Sequence, residues 1–169
     1  CIRDSNYDAL ARFNCPKLSD YGLFVDATDP TKNPTGNGLP YELNTPLFTD
    51  YASKHRFIYL PPGSKATYQD HTQCDTLNVY DCYTATLGFP VGTVIAKTFS
   101  YQDGATENVI ETRLLIKRTA HDGTPVWVGF SYEWTTENGQ KVANLRLEGA
   151  TKSVSWNYDD PNPAVKDGS

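Results

Sequence analysis

The residue types of a charge-relay hydrolase, an acid, a hydroxyl and an imidazole, lie close together at Asp50, Ser53 and His55. Such a relay is a spatial arrangement with its own oxyanion site, and no nucleophile-elbow sequence surrounds Ser53. The plainer expectation is that His55 makes a hydrogen bond at the start of a strand. His71, Cys74, Asp75 and Cys82 are metal-ligand types, but their spacing matches no familiar zinc pattern, and a disulfide would consume both thiols. Asp26 with Asp29, and Asp159 with Asp160, lack the regular oxygen-ligand spacing of a calcium loop and read as solvated carboxylates. Glu111 and Arg113 share a strand face and are assigned no chemistry, since an exposed pair is worth little. No catalytic residue, metal or cofactor is therefore expected. Trp127 and Trp156 are the candidate contact residues, because an exposed indole ring stacks on a sugar or anchors a protein partner.

Four cysteines, at positions 1, 15, 74 and 82, give an even count with no Cys-x-x-Cys spacing, which points to disulfides and an oxidising compartment. Four cysteines allow three pairings. The short loop between Cys74 and Cys82 favours that bridge, leaving Cys1 with Cys15, while a lipidated Cys1 is the rival reading. The composition is 38% hydrophobic and 21% charged with 11 tyrosines, a strand-forming balance. A formal charge of −5 shows no basic surface for nucleic acid. No apolar run is long enough to cross a membrane, and the opening Cys1-Ile2-Arg3-Asp4-Ser5 is not a signal sequence, so the chain reads as a mature or trimmed form. No Asn-x-Ser/Thr acceptor occurs, although the Thr-rich loop 28 to 35 leaves O-linked sugar open.

The elements that must position these residues are mostly strands. Residues 1 to 17 form a lead-in, where Ser5 is placed to cap a short helix carrying Leu10 and Phe13 before Cys15-Pro16 ends it. Residues 26 to 40, with three prolines and two glycines, read as an exposed loop. From residue 55 onward, strand-like segments follow at 55–60, 77–83, 93–101, 108–118, 126–134, 141–147 and 151–158, punctuated by Asp-Gly and Asn-Gly turns suited to hairpins. Val126, Val128, Phe130, Tyr132 and Trp134 share one face, as do Ile110, Leu114 and Ile116 in the strand before, and Ala143, Leu145 and Leu147 in the strand after. The opposite faces are mostly polar. This patterning predicts an all-β, antiparallel β-sandwich, jelly-roll-like, with a short N-terminal helix or arm. Its parts are an arm over 1–17, the β domain over 18–158 and a tail over 159–169.

The stretches Leu18 to Phe24, Pro40 to Phe57, Phe89 to Phe99 and Ile110 to Ile116 resemble the non-heme β domain of a family of bacterial diheme c-type cytochromes. The likeness runs from about Leu18 to about Trp156 and implies a β fold ahead of a heme-carrying part. Covalent heme attachment needs Cys-x-x-Cys-His, which this sequence lacks, so electron transfer does not carry over. The insertion from Gln69 to Leu87 is a second departure.

The function these readings point to is a non-catalytic, secreted or cell-surface structural subunit of bacterial type, associating with copies of itself into a multimer or filament. Unpaired sheet edges accept a strand from a neighbour, and either the lead-in or the tail is available as the donated arm. The alternatives are a glycan-binding sandwich and an accessory domain of a diheme cytochrome.

Overall fold

The computed structural model describes Leu10 and residues 12–36, 38–69 and 86–155. A 3-10 turn over Leu18–Tyr21 is followed by eight strands: β1 (Leu39–Pro40), β2 (Ser53–Tyr59), β3 (Thr67–Gln69), β4 (Thr86–Gly88), β5 (Val94–Asp103), β6 (Thr106–Thr119), β7 (Pro125–Glu137) and β8 (Gln140–Arg146). They form a six-stranded sheet, ordered β1-β2-β5-β6-β7-β8, and a separate two-stranded sheet, β3-β4. Every pairing is antiparallel. The all-β antiparallel architecture expected from the patterning is what the chain builds, in two sheets. Sheet neighbours follow one another in sequence apart from the β3-β4 excursion, so the described connections make a meander without the crossed returns of a jelly roll.

Local chemistry explains the hairpins. Between β7 and β8, Asn138 (φ 51°) and Gly139 (φ 78°) occupy the two left-handed positions of a tight turn, a conformation that suits this dipeptide. Between β6 and β7, Asp122 accepts from the Thr124 amide (3.0 Å) and hydroxyl (2.6 Å), fixing the bend. A register shift between Phe99 and Ser100 sets Ser100 opposite Val109, whereas Phe99 stands opposite Glu111. That bulge reverses an expectation. Val109 packs against the core, while Ile110 lines a groove with Glu111 and Arg113.

One face of the large sheet is buried, with Phe57, Ala96, Leu114 and Phe130 opposite one another on successive strands. The segment from Leu10 to Phe24 is the layer that covers it, contributing buried Leu10, Cys15, Leu18, Tyr21, Leu23 and Phe24. Tyr21 and Tyr132 meet edge to face at 6.1 Å, and the Tyr132 hydroxyl donates to the Cys15 carbonyl at 2.8 Å. Arg118, only 9% exposed at the end of the same face, donates to the Leu10 and Phe13 carbonyls and to the Asn14 side chain. The Leu145 amide of β8 donates to the Pro16 carbonyl at 2.9 Å, and Lys17 bridges Asn144. The described residues between Leu10 and Phe24 thus close both a sheet face and part of the β8 edge within one chain.

Several expectations change in detail. The short N-terminal helix is not shown, and residues 1–9 and 11 lie outside the described residues. The segments at 77–83 and 156–158 also lie outside them, and residues 151–155 carry no strand. Leu147 falls after β8 and is 77% exposed. Within the loop 26–40, Pro30 and Thr31 are buried, because two Asp-x-Thr turns, Asp26 to Thr28 and Asp29 to Thr31, fold the loop upon itself.

Candidate functional site

The outward face of the large sheet carries the richest chemistry among the described residues. Cross-strand pairing sets Arg56 of β2 opposite Lys97 of β5, Lys97 opposite Arg113 of β6, Arg113 opposite Ser131 of β7, and Ser131 opposite Arg146 of β8. Residues directly opposite each other point to the same side. Four cations therefore lie along one row of five strands, on a chain whose formal charge is −5.

Carboxylates answer some of these cations. Glu111 takes Arg113 through both oxygens at 2.9 Å and also accepts from the Ser131 hydroxyl. Glu133 accepts from Arg146 Nε at 2.8 Å, and Glu42 from Arg56 Nη1 at 3.1 Å. Burial alone would raise the Glu111 carboxyl, but the hydrogen bonds from Arg113 and Ser131 outweigh it and hold it below its ordinary value. Lys97 is placed differently. Its ammonium sits 4.7 Å from the centroid of the Phe99 ring, and the Arg113 guanidinium 4.8 Å from that same ring. Burial, then the charges of Arg56, Lys54 and Arg113, hold the Lys97 amine below its ordinary value, with Glu111 opposing them. Like charges opposite one another destabilise a sheet, so the row is a local cost.

Beside this row runs an apolar one: Leu39, Ile58, Ile95, Leu115 and Gly129 face each other in turn. From β5 to β8 the two rows line an open groove of about 540 Å³ whose walls include Tyr41, Ile95, Lys97, Arg113, Leu115 and Leu147. A second groove of about 300 Å³ adjoins it, sharing Arg113, Ser131, Arg146 and Gly149. The arrangement offers a flat apolar floor and a cationic wall. It suits an anionic partner carrying apolar or aromatic surface.

The sequence candidates are distributed elsewhere. His55 Nε2 lies 2.5 Å from Glu107 Oε1, and that same oxygen accepts from the Ser100 hydroxyl at 2.5 Å. The carboxylate stands between the two, so the imidazole is not the partner of this hydroxyl as a nucleophile relay requires. Ser53 stands opposite Ser100 across the strands. Asp26 and Asp29 spend their oxygens on the amides and hydroxyls of Thr28 and Thr31. Trp127 is 40% exposed on the outward face, edge to face with Phe89 at 6.1 Å and with Lys117 over its ring at 5.7 Å. Cys15 is buried and disulfide-bonded. Cys1, Cys74, Cys82, His71, Asp75, Trp156, Asp159 and Asp160 lie outside the described residues.

Sequence reading gave Glu111 and Arg113 no role and passed over Arg56, Lys97 and Arg146. Their spacing in sequence carries no signal, since only strand register brings them into line.

Comparison with protein-family models, curated proteins and solved structures finds no match to this chain.

Proposed function

We propose that this chain is a non-catalytic extracytoplasmic assembly domain that associates with copies of itself. The observation that carries the reading is the asymmetry of the large sheet. One face is covered by the chain's own residues between Leu10 and Phe24, while the other presents Leu115, Trp127 and Leu147 at 40% exposure or more beside a cationic row. Such a face is built for contact, being open and broad, with its arginines held in place by carboxylates. The disulfide at buried Cys15 supports an oxidising compartment. Light scattering across a range of protein concentrations tests the proposal: the average mass rises with concentration, and a single-chain mass throughout would refute self-association.

A second reading, glycan binding, is favoured by the Trp127 ring, which is partly exposed at the surface and contacted by Phe89 and Lys117. Calorimetric titration with polysaccharides separates the two. Saturable heat that vanishes in Trp127→Ala supports a glycan ligand, and its absence from the native chain removes one.

A further inference from the structure

The lead-in and the tail were the two arms available for donation, and the described part of the lead-in, Leu10 and residues 12–17, is engaged at home. Arg118 grips its Leu10 and Phe13 carbonyls, its Cys15 is buried, and Pro16 and Lys17 hold the β8 edge. The opposite edge, β1, is two residues long and contains Pro40, so it accepts little from a partner strand. Contact between copies through paired edges is thereby blunted at both ends of the large sheet, and the outward face is the broader surface.

That face has a chemistry which residues 156–169 match. This stretch, the last residues of the β domain and the tail, begins Trp156-Asn157-Tyr158-Asp159-Asp160, placing two aromatic rings next to two adjacent carboxylates. The groove offers Ile95 and Leu115 as a floor, with Lys97 and Arg113 beside it. Arg113 has a carboxylate partner in Glu111 at 2.9 Å, whereas Lys97 shares the Phe99 ring with Arg113 and faces cations on both neighbouring strands. An arriving carboxylate relieves that crowding. The aromatic rings cover apolar floor that a purely electrostatic contact would leave wet.

We propose that the outward groove receives the segment 156–169 of a second copy, with Asp159 and Asp160 meeting Lys97 and Arg113 and the rings of Trp156 and Tyr158 lying on Ile95 and Leu115. The inference rests on self-association and names the surfaces that produce it. Because groove and tail are different parts of the chain, the contact is head to tail, and it propagates unless its rotation closes a ring.

Light scattering on the full chain, with variants on each side of the contact, tests this. Paired Asp159→Asn and Asp160→Asn substitutions leave every described residue unchanged, and Lys97→Glu reverses the groove. Each raises the concentration needed for assembly by about tenfold or more, and added salt does the same to the native chain. Mixed together, the two variants keep one productive contact, the native tail of one on the native groove of the other, and give pairs that grow no further. A native chain that assembles but is indifferent to both variants overturns this contact while leaving self-association standing. Failure of the mixture to form pairs, with each variant monomeric, also overturns it, since the tail would then serve its own groove. A native chain that never assembles removes both proposals.

Discussion

Arg118 Nη1 lies 2.6 Å from Asn14 Oδ1, joining positions 104 apart in sequence. The same guanidinium donates to Phe13 O at 2.7 Å and Leu10 O at 3.2 Å, and stacks 4.8 Å from the Phe130 centroid. It satisfies the backbone of the covering segment while packing on the sheet. Arg118→Ala strands these acceptors and opens space against Phe130, with an expected loss of about 3 kcal/mol. Arg118→Lys recovers less than half, because an ammonium lacks the fork that reaches three acceptors at once. Urea unfolding measures both; equal stability of the lysine variant and the native chain would show the fork to be dispensable.

Gly38 fixes how the chain enters β1. A Cβ there would lie 2.4 Å from Tyr59 Cε1 and 2.6 Å from Pro34 Cβ. Tyr59 is 2% exposed and its hydroxyl donates to the Leu23 carbonyl at 2.6 Å, so the ring has little freedom to retreat. Gly38→Ala therefore costs about 2 kcal/mol through overpacking. Gly63, with open space around its Cβ position but φ at 74°, is the contrasting case. Alanine there meets only backbone strain of about 1 kcal/mol. Thermal midpoints of the two variants rank the effects, and the order Gly63 worse than Gly38 would contradict the packing argument.

How far the sequence disclosed this arrangement follows from what local patterning encodes. Period-two alternation placed Phe130, Tyr132 and Trp134 inward, and all three are buried. Turn chemistry located the β7-β8 hairpin at Asn138-Gly139. Alternation failed at Ile110 because a bulge is a single inserted residue that shifts register without leaving a composition signal. Arg118, polar by type, is buried on the core face, since its partners are carbonyls more than a hundred positions away. The cationic row was hidden for a related reason. Arg56, Lys97, Arg113 and Arg146 lie on four strands, and only the hydrogen-bonded register sets them in one line.

Lys97 is expected to sacrifice stability for its place in the row. Its folded-state amine titrates below its ordinary value of 10.5, so the folded chain binds that proton less well than the unfolded one. The resulting penalty is present below the folded value and disappears as pH rises through it toward 10.5. Lys97→Met removes the charge and keeps the length. At neutral pH it is predicted to stabilise the chain by about 0.5 kcal/mol, the scale of a like-charge cross-strand pair, with the advantage over the native chain fading in alkali. Urea midpoints at neutral and alkaline pH check this, and a destabilised methionine variant would mean that Lys97 is held by favourable contacts instead.

Glu107 and Glu111 contribute to the acid side. Burial would raise both carboxyls, but hydrogen bonds from Ser100 and His55 to Glu107, and from Arg113 and Ser131 to Glu111, outweigh it and hold each below the ordinary 4.5. A carboxyl lowered on folding contributes stability that is fully present above its unfolded value and is lost as pH falls through the folded one. Unfolding midpoints should therefore hold steady from neutrality to about pH 5 and decline below it. Glu111→Gln keeps the shape but exchanges a charged acceptor for an amide, which weakens the bonds from Arg113 and Ser131. Its deficit relative to the native chain is largest near neutrality and narrows as pH drops below 4.5 toward the lower folded value, through which the native Glu111 loses its charge. Curves for the two chains that stay parallel into acid would show that the Arg113 pairing adds nothing to stability.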